Sequence, residues 1–154
     1  MTMSASSDQV AIQVDSAVEL LQKTELSEIR TYTLHAERAS RDHDQDADVA
    51  ISARSDADWL EVRCKMTISS DDADLLIDRA AVFHHSQPLA IPPAVLEDFI
   101  ERVGVMSVYP YLREGAFTLA TNLGVSPPVL ALMRAGSVRM RTKEAQAVPA
   151  DSLT

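Results

Sequence analysis

Glycine, cysteine and aromatic side chains are scarce in this chain: four glycines, one cysteine and 5% aromatics in 154 residues. A single cysteine, Cys64, leaves no intrachain disulfide, and a reducing compartment is the expectation. No glycine-rich phosphate loop and no Gly-x-Ser-x-Gly elbow is present, so the usual sequence signals of nucleotide binding and serine hydrolysis are missing. Long hydrophobic runs are absent as well, since no stretch approaches the ~18 consecutive apolar residues of a membrane-spanning helix. The opening "MTMSASSDQV" has no basic region ahead of an apolar one. Positive charge is in deficit: 14 Lys and Arg against 23 Asp and Glu give a net charge of −9. That balance disfavours nucleic acid and anionic membrane as partners. What remains is the expectation of a soluble cytoplasmic protein about one domain in size, 46% hydrophobic and 24% charged.

Residues 1–8 are small and polar, which predicts disorder. Over 9–26, Val10, Val14, Ala17, Val18 and Leu21 recur at spacings of three and four, which predicts an amphipathic helix. "EIRTYTLHAER" reads as a strand with Tyr32, Leu34 and Ala36 on one face. The strongest alternation is "LEVRCKMTIS", where Leu60, Val62, Cys64, Met66 and Ile68 alternate with polar residues. This predicts an antiparallel strand wet on one side. "SSDDAD" supplies turn chemistry and "LLIDRAAVFHHS" the returning strand; with "DVAISARS" the centre is expected to be a four-stranded antiparallel meander. The period then changes. Val95, Leu96, Phe99, Ile100 and Val103 have helical spacing behind Pro92-Pro93, and Leu112, Ala116, Leu119 and Leu123 make a second helical stripe. Pro110 either begins that second helix or kinks a longer one. Gly124 suits a C-cap, "PVLALMRAG" predicts a short final helix, and 136–154 is expected to be disordered. The class is α+β, with helices segregated from an antiparallel sheet.

Most candidate chemistry dissolves on inspection. His84 and His85 are adjacent on a strand and so point to opposite faces, and neither they nor His35 and His43 stand at a metal-ligand spacing. Cys64 lies on the apolar face of its strand, as a packed thiol does. Asp42, Asp44, Asp46 and Asp48 lack the glycine and distal glutamate of a calcium loop. No catalytic residue, metal or cofactor is assigned, and the expectation is a non-enzyme.

One stretch stands apart: "SVYPYLRE", 107–114, in the most apolar part of the chain. Arg113 and Glu114 are adjacent, so on a helix each is free to meet a different partner. Gly115, Ala116 and Ala120 are small residues that let either a second helix or the sheet approach closely.

"YPYLRE", opening a helix after an antiparallel sheet in a small acidic chain, resembles the Phe-Pro-Tyr-Ala-Arg-Glu signature of the protein-export chaperone family SecB. The resemblance runs from Ser27 to Ala135, with "AVFHH" similar to the family's Gly-Ile-Phe segment and "LGVSPPVL" to its proline-bearing exit. It implies a homotetramer, a dimer of dimers, that holds unfolded polypeptides or preproteins in apolar grooves without ATP. Candidate groove residues are Trp59, Met66, Phe83, Met106, Tyr109, Tyr111 and Met133. Candidate oligomer contacts are Arg113, Glu114, Gly115, Ala116 and Ala120. The family docks the export motor SecA through acidic groups on the sheet; Glu37 and Asp78 are similar by strand position and Leu76 is a further docking candidate, while Thr33 replaces another acidic group. The extra N-terminal helix and the basic Arg139, Arg141 and Lys143 depart from the better-known members. The extra helix resembles actinobacterial SecB-like proteins, some of which serve toxin–antitoxin systems. Alternatives to a general export chaperone are therefore a dedicated antitoxin chaperone and a small-ligand carrier on the same scaffold.

Overall fold

The computed structural model describes residues 9–131. The alternating "LEVRCKMTIS" becomes β4 (Trp59–Ser69), with Leu60, Val62, Cys64, Met66 and Ile68 each no more than 3% exposed. It is flanked by β3 (Asp46–Ser55) and β5 (Ala73–His84) in antiparallel register, and β5 pairs on its far side with β2 (Glu25–Arg38). The order β2-β5-β4-β3 corrects the expected meander, since the first long strand lies beside the last. This is Greek-key connectivity. Residues 39–45 make the crossing, held along the β4–β5 turn by Ala39 N–H to Asp72 O (2.8 Å) and Arg41 N–H to Asp71 O (3.0 Å). Alternation fixes which face of a strand is apolar, not which strand it neighbours.

β2 carries register shifts at Leu26/Glu28 and Thr31/Thr33. The second shift turns Tyr32 away from the face of Leu34 and Ala36 onto the opposite side of the sheet, where its hydroxyl meets Glu61. An inserted residue reverses the alternation, which a strict period of two could not anticipate.

The helix expected over 9–26 is shorter. Ile12–Gln13 (β1) pairs in parallel with Leu89–Ala90 (β6), and α1 spans only Ala17–Lys23. Ser16 starts the helix by accepting from Glu19 N–H (3.1 Å), while the Glu19 carboxylate accepts from Asp15 N–H (2.9 Å), a near-capping box. Thr24 is already extended, and β2 begins at the next residue.

The C-terminal layer is one continuous helical path. α2 (Pro93–Phe99) passes through a π-helical turn, Ile100–Gly104, into α3 (Val105–Leu123), with Pro110 inside. Gly104 leaves the helix no room for a side chain against the sheet, since a Cβ would lie 2.6 Å from Val62 Cγ2. Val105, Val108, Leu112, Ala116 and Ala120 face the sheet, and Phe83 meets Phe99 edge to face with ring centroids 5.1 Å apart. Gly124 ends α3 at φ 70°, a left-handed cap. From Val125 to Ala131 the chain is not helical; the rest of the expected final helix, including Met133, lies outside the described residues, as does the basic tail. No helix among the described residues is long and apolar enough to cross a membrane.

Candidate functional site

The "SVYPYLRE" stretch sits mid-way along α3 and joins three elements. Tyr109 is 7% exposed, and its hydroxyl donates to the Ala131 carbonyl, pinning the segment that returns from the end of α3. Pro110 is on the solvent side, where its missing N–H leaves the helix one bond short. Arg79 reaches from β5, its Nη1 donating to the Tyr111 carbonyl (2.6 Å) and to Glu114 Oε2 (2.7 Å), while its Nε donates to Thr31 Oγ1 of β2 (3.1 Å). Hydrogen bonds from Arg79 and then Thr118 hold the Glu114 carboxyl below its ordinary value. Arg113 is exposed and forms no ion pair among the described residues. Gly115, Ala116 and Ala120 are buried against the chain's own sheet; a Cβ on Gly115 would stand 3.0 Å from Ile77 Cγ2. Of the two readings open for these small residues, packing on the sheet is the observed one.

The candidate groove residues divide. Met66 and Phe83, each 2% exposed, belong to the core together with Tyr109. Trp59 and Met106 are half-buried, and Tyr111 is 43% exposed. The alternation had no means of flagging Leu26, Leu34, Phe117 and Val129, which are large apolar groups left in solvent. Phe117 does fall off the Leu112/Ala116/Leu119 stripe, and that offset is its sequence signal. With Pro110, Arg113 and Glu114 it faces the returning segment Pro127–Leu130 across an open cleft of about 530 Å³.

The opposite face of the sheet is polar and tightly organised. Glu61, with a side chain 2% exposed, accepts from Tyr32 OH (2.6 Å), Arg54 Nε (2.8 Å) and Arg30 Nη1 (3.1 Å). Burial pushes its carboxyl up, but the hydrogen bonds from Arg54 and Tyr32 and the two guanidinium charges outweigh that and hold it below its ordinary value. Arg63 binds Asp78 through two bonds of 2.8 and 2.7 Å and lies 3.9 Å from the Tyr32 ring centroid; Arg54 lies 5.4 Å from that of Trp59. Among the suggested motor-docking residues, Asp78 is therefore buried and neutralised, Leu76 is half-buried, and Glu37 is exposed beside His35 at 3.1 Å.

The remaining candidates are structural. Burial, reinforced by the Asp78 charge, pushes the Cys64 thiol up to about 12, so it is no nucleophile at neutral pH. His85 is buried with Nδ1 2.7 Å from the Gln87 carbonyl, and His84 lies 3.6 Å from Asp58. No group of three or more His, Cys, Asp or Glu among the described residues is placed to hold a metal ion.

No family model matches the chain. It is 34% identical over 122 residues to the SecB-like chaperone SmegB of Mycolicibacterium smegmatis, a stretch covering 79% of this chain and 84% of that protein. In fold it is similar to a SecB-like chaperone of Mycobacterium tuberculosis, solved in complex with a ChAD peptide from an antitoxin. That likeness has a TM-score of 0.64 at 19% identity over 76% of this chain and 92% of the other.

Proposed function

The chain belongs to the SecB-like chaperone family, and from that membership we propose that it is a holdase, binding unfolded polypeptide on apolar surface without nucleotide. Kinship over most of the chain carries this reading. The exposed Tyr111, Phe117 and Val129 support it, because large apolar groups in solvent are what an extended client can bury. Each such contact contributes on the order of 1.5–3 kcal/mol when complete, so a few loose ones give useful affinity without sequence specificity. The half-buried Trp59 and Met106 are offered as further client contacts, and residues 27–135 as the chaperone domain.

An antitoxin is the client we favour. The solved neighbour holds an antitoxin peptide, and this chain carries an N-terminal segment, β1 with α1, ahead of the long strands. Docking of SecA on the sheet has less support, since Asp78 spends its charge on Arg63. A cytoplasmic homotetramer completes the proposal.

The test is suppression of aggregation of a chemically denatured protein as it is diluted from denaturant. Near-stoichiometric amounts of the chaperone should suppress light scattering, with no change on adding ATP. Failure with several unrelated clients together with tight binding of one antitoxin would restrict the role to that client. Failure with every unfolded polypeptide would remove the holdase reading and leave the family alone.

A further inference from the structure

We propose that the polar outer face of the sheet, around Arg30, Arg54, Arg63 and Lys65, is a docking surface for an acidic segment of a partner polypeptide. It lies on the other side of the sheet from α3 and shares only Trp59 with the surfaces assigned to clients.

Strand register lays this face out in rows. One row runs Arg54, Glu61, Val82, Glu28; the next runs Ser52, Arg63, Ala80, Arg30; the third runs Ala50, Lys65, Asp78, Thr33. Charges nearly balance here, yet they are not equally presented. The Glu61 and Asp78 side chains are 2% and 4% exposed, whereas Arg54, Arg63 and Arg30 are 59%, 39% and 37% exposed. Carboxylates lie beneath and guanidinium groups above, so solvent meets cations and ring edges. Glu28, 49% exposed, offsets Arg30 at one margin, which leaves Arg54, Arg63 and Lys65 as the principal donors.

Those donors are also fixed in place. Arg63 uses Nε and Nη2 on Asp78, and Arg54 uses Nε and Nη2 on Glu61 and Tyr32, so the Nη1 of each is uncommitted among the described residues. Stacking on Tyr32 and Trp59 holds the planes. A guanidinium already immobilised loses little rotamer freedom on binding a carboxylate, and its fork suits that acceptor. The two remaining rows, Asp48 with His35 and Asp46 with Asp74 and Glu37, have the opposite sign. An acidic run is thereby confined to the cationic half.

The overall charge makes the test diagnostic, because a −9 protein repels an acidic peptide unless a built site receives it. A fluorescein-labelled twelve-residue Glu-Ser repeat is titrated with the full-length protein at low salt and followed by anisotropy. Binding that weakens as salt rises is expected. Lys65 makes no hydrogen bond or ion pair among the described residues, although it stands opposite Asp78, and Lys65→Glu should weaken binding about fivefold or more. Arg54→Gln should do the same, whereas the remote Lys23→Glu on α1 should leave it within error. No binding, equal loss in Lys65→Glu and Lys23→Glu, or tighter binding of a twelve-nucleotide single strand would each overturn the proposal. Aggregation suppression by Lys65→Glu should match the parent, so failure of this surface and failure of the holdase reading are told apart.

Discussion

At the scale of residues, Glu61 is the most consequential polar group. A carboxylate with three donors on the open side of a sheet holds β2, β3 and β4 together, since Tyr32 and Arg30, Arg54, and Glu61 itself come from those strands. Its carboxyl titrates lower in the folded than in the unfolded chain. The stabilisation is therefore fully present above the ordinary value of 4.5 and is lost as pH falls through the lower folded value. Glu61→Gln should cost about 2–4 kcal/mol near neutrality, because two arginines and a phenol lose their anion. Urea unfolding followed from pH 7 to pH 3 should show the variant's deficit shrinking toward acid; a deficit independent of pH would contradict the assignment. Gly104 also has no slack, as any side chain there meets Val62.

Between residues and the whole fold stands the α2–π–α3 path, and here the motif that set this chain apart finds its role. Arg79 and Glu114 fasten α3 to β5 and β2, while Tyr109 fastens the return segment to α3. Tyr109→Phe removes one hydrogen bond and keeps the ring in the core, so it should cost about 1 kcal/mol. Its effect should be local: hydrogen exchange across Val125–Ala131 should quicken while β4 and β5 stay protected. Uniform acceleration over the whole molecule would mean that the bond supports the entire fold, and no acceleration at Val125–Ala131 would mean that the ring, not the hydroxyl, does the fastening.

At the scale of the molecule the unfinished business is surface. β2 is fourteen residues long, is bonded among the described residues to β5 on one side only, and exposes Leu26 and Leu34. An edge of that length without proline pairs readily with a second chain. That edge, with its two leucines, fits the proposed tetramer of a 16.8 kDa chain and leaves Tyr111 and Phe117 on α3 to the client. Light scattering should give about four times the chain mass, and Leu34→Glu should lower it with circular dichroism unchanged. A monomeric parent protein at micromolar concentration would sink the assembly.

Local pattern was enough to read off the class of fold, the face of β4 that enters the core, the helix start at Pro93, the cap at Gly124 and the family carried by "YPYLRE". Each follows from local pattern: a period of two or 3.6, or a residue whose backbone freedom is special. The folded chain was needed to see that β2 lies beside β5, that a bulge sends Tyr32 to the outer face, that Ser16 delays the first helix, and that Met66 and Phe83 are core while Phe117 and Leu34 are not. Pairing and burial depend on contacts between residues far apart in the chain, which no local period records. Glu61 illustrates the limit: in sequence it is one more polar residue on a wet face, and only the arrival of Arg30, Tyr32 and Arg54 from two other strands makes it a buried anion.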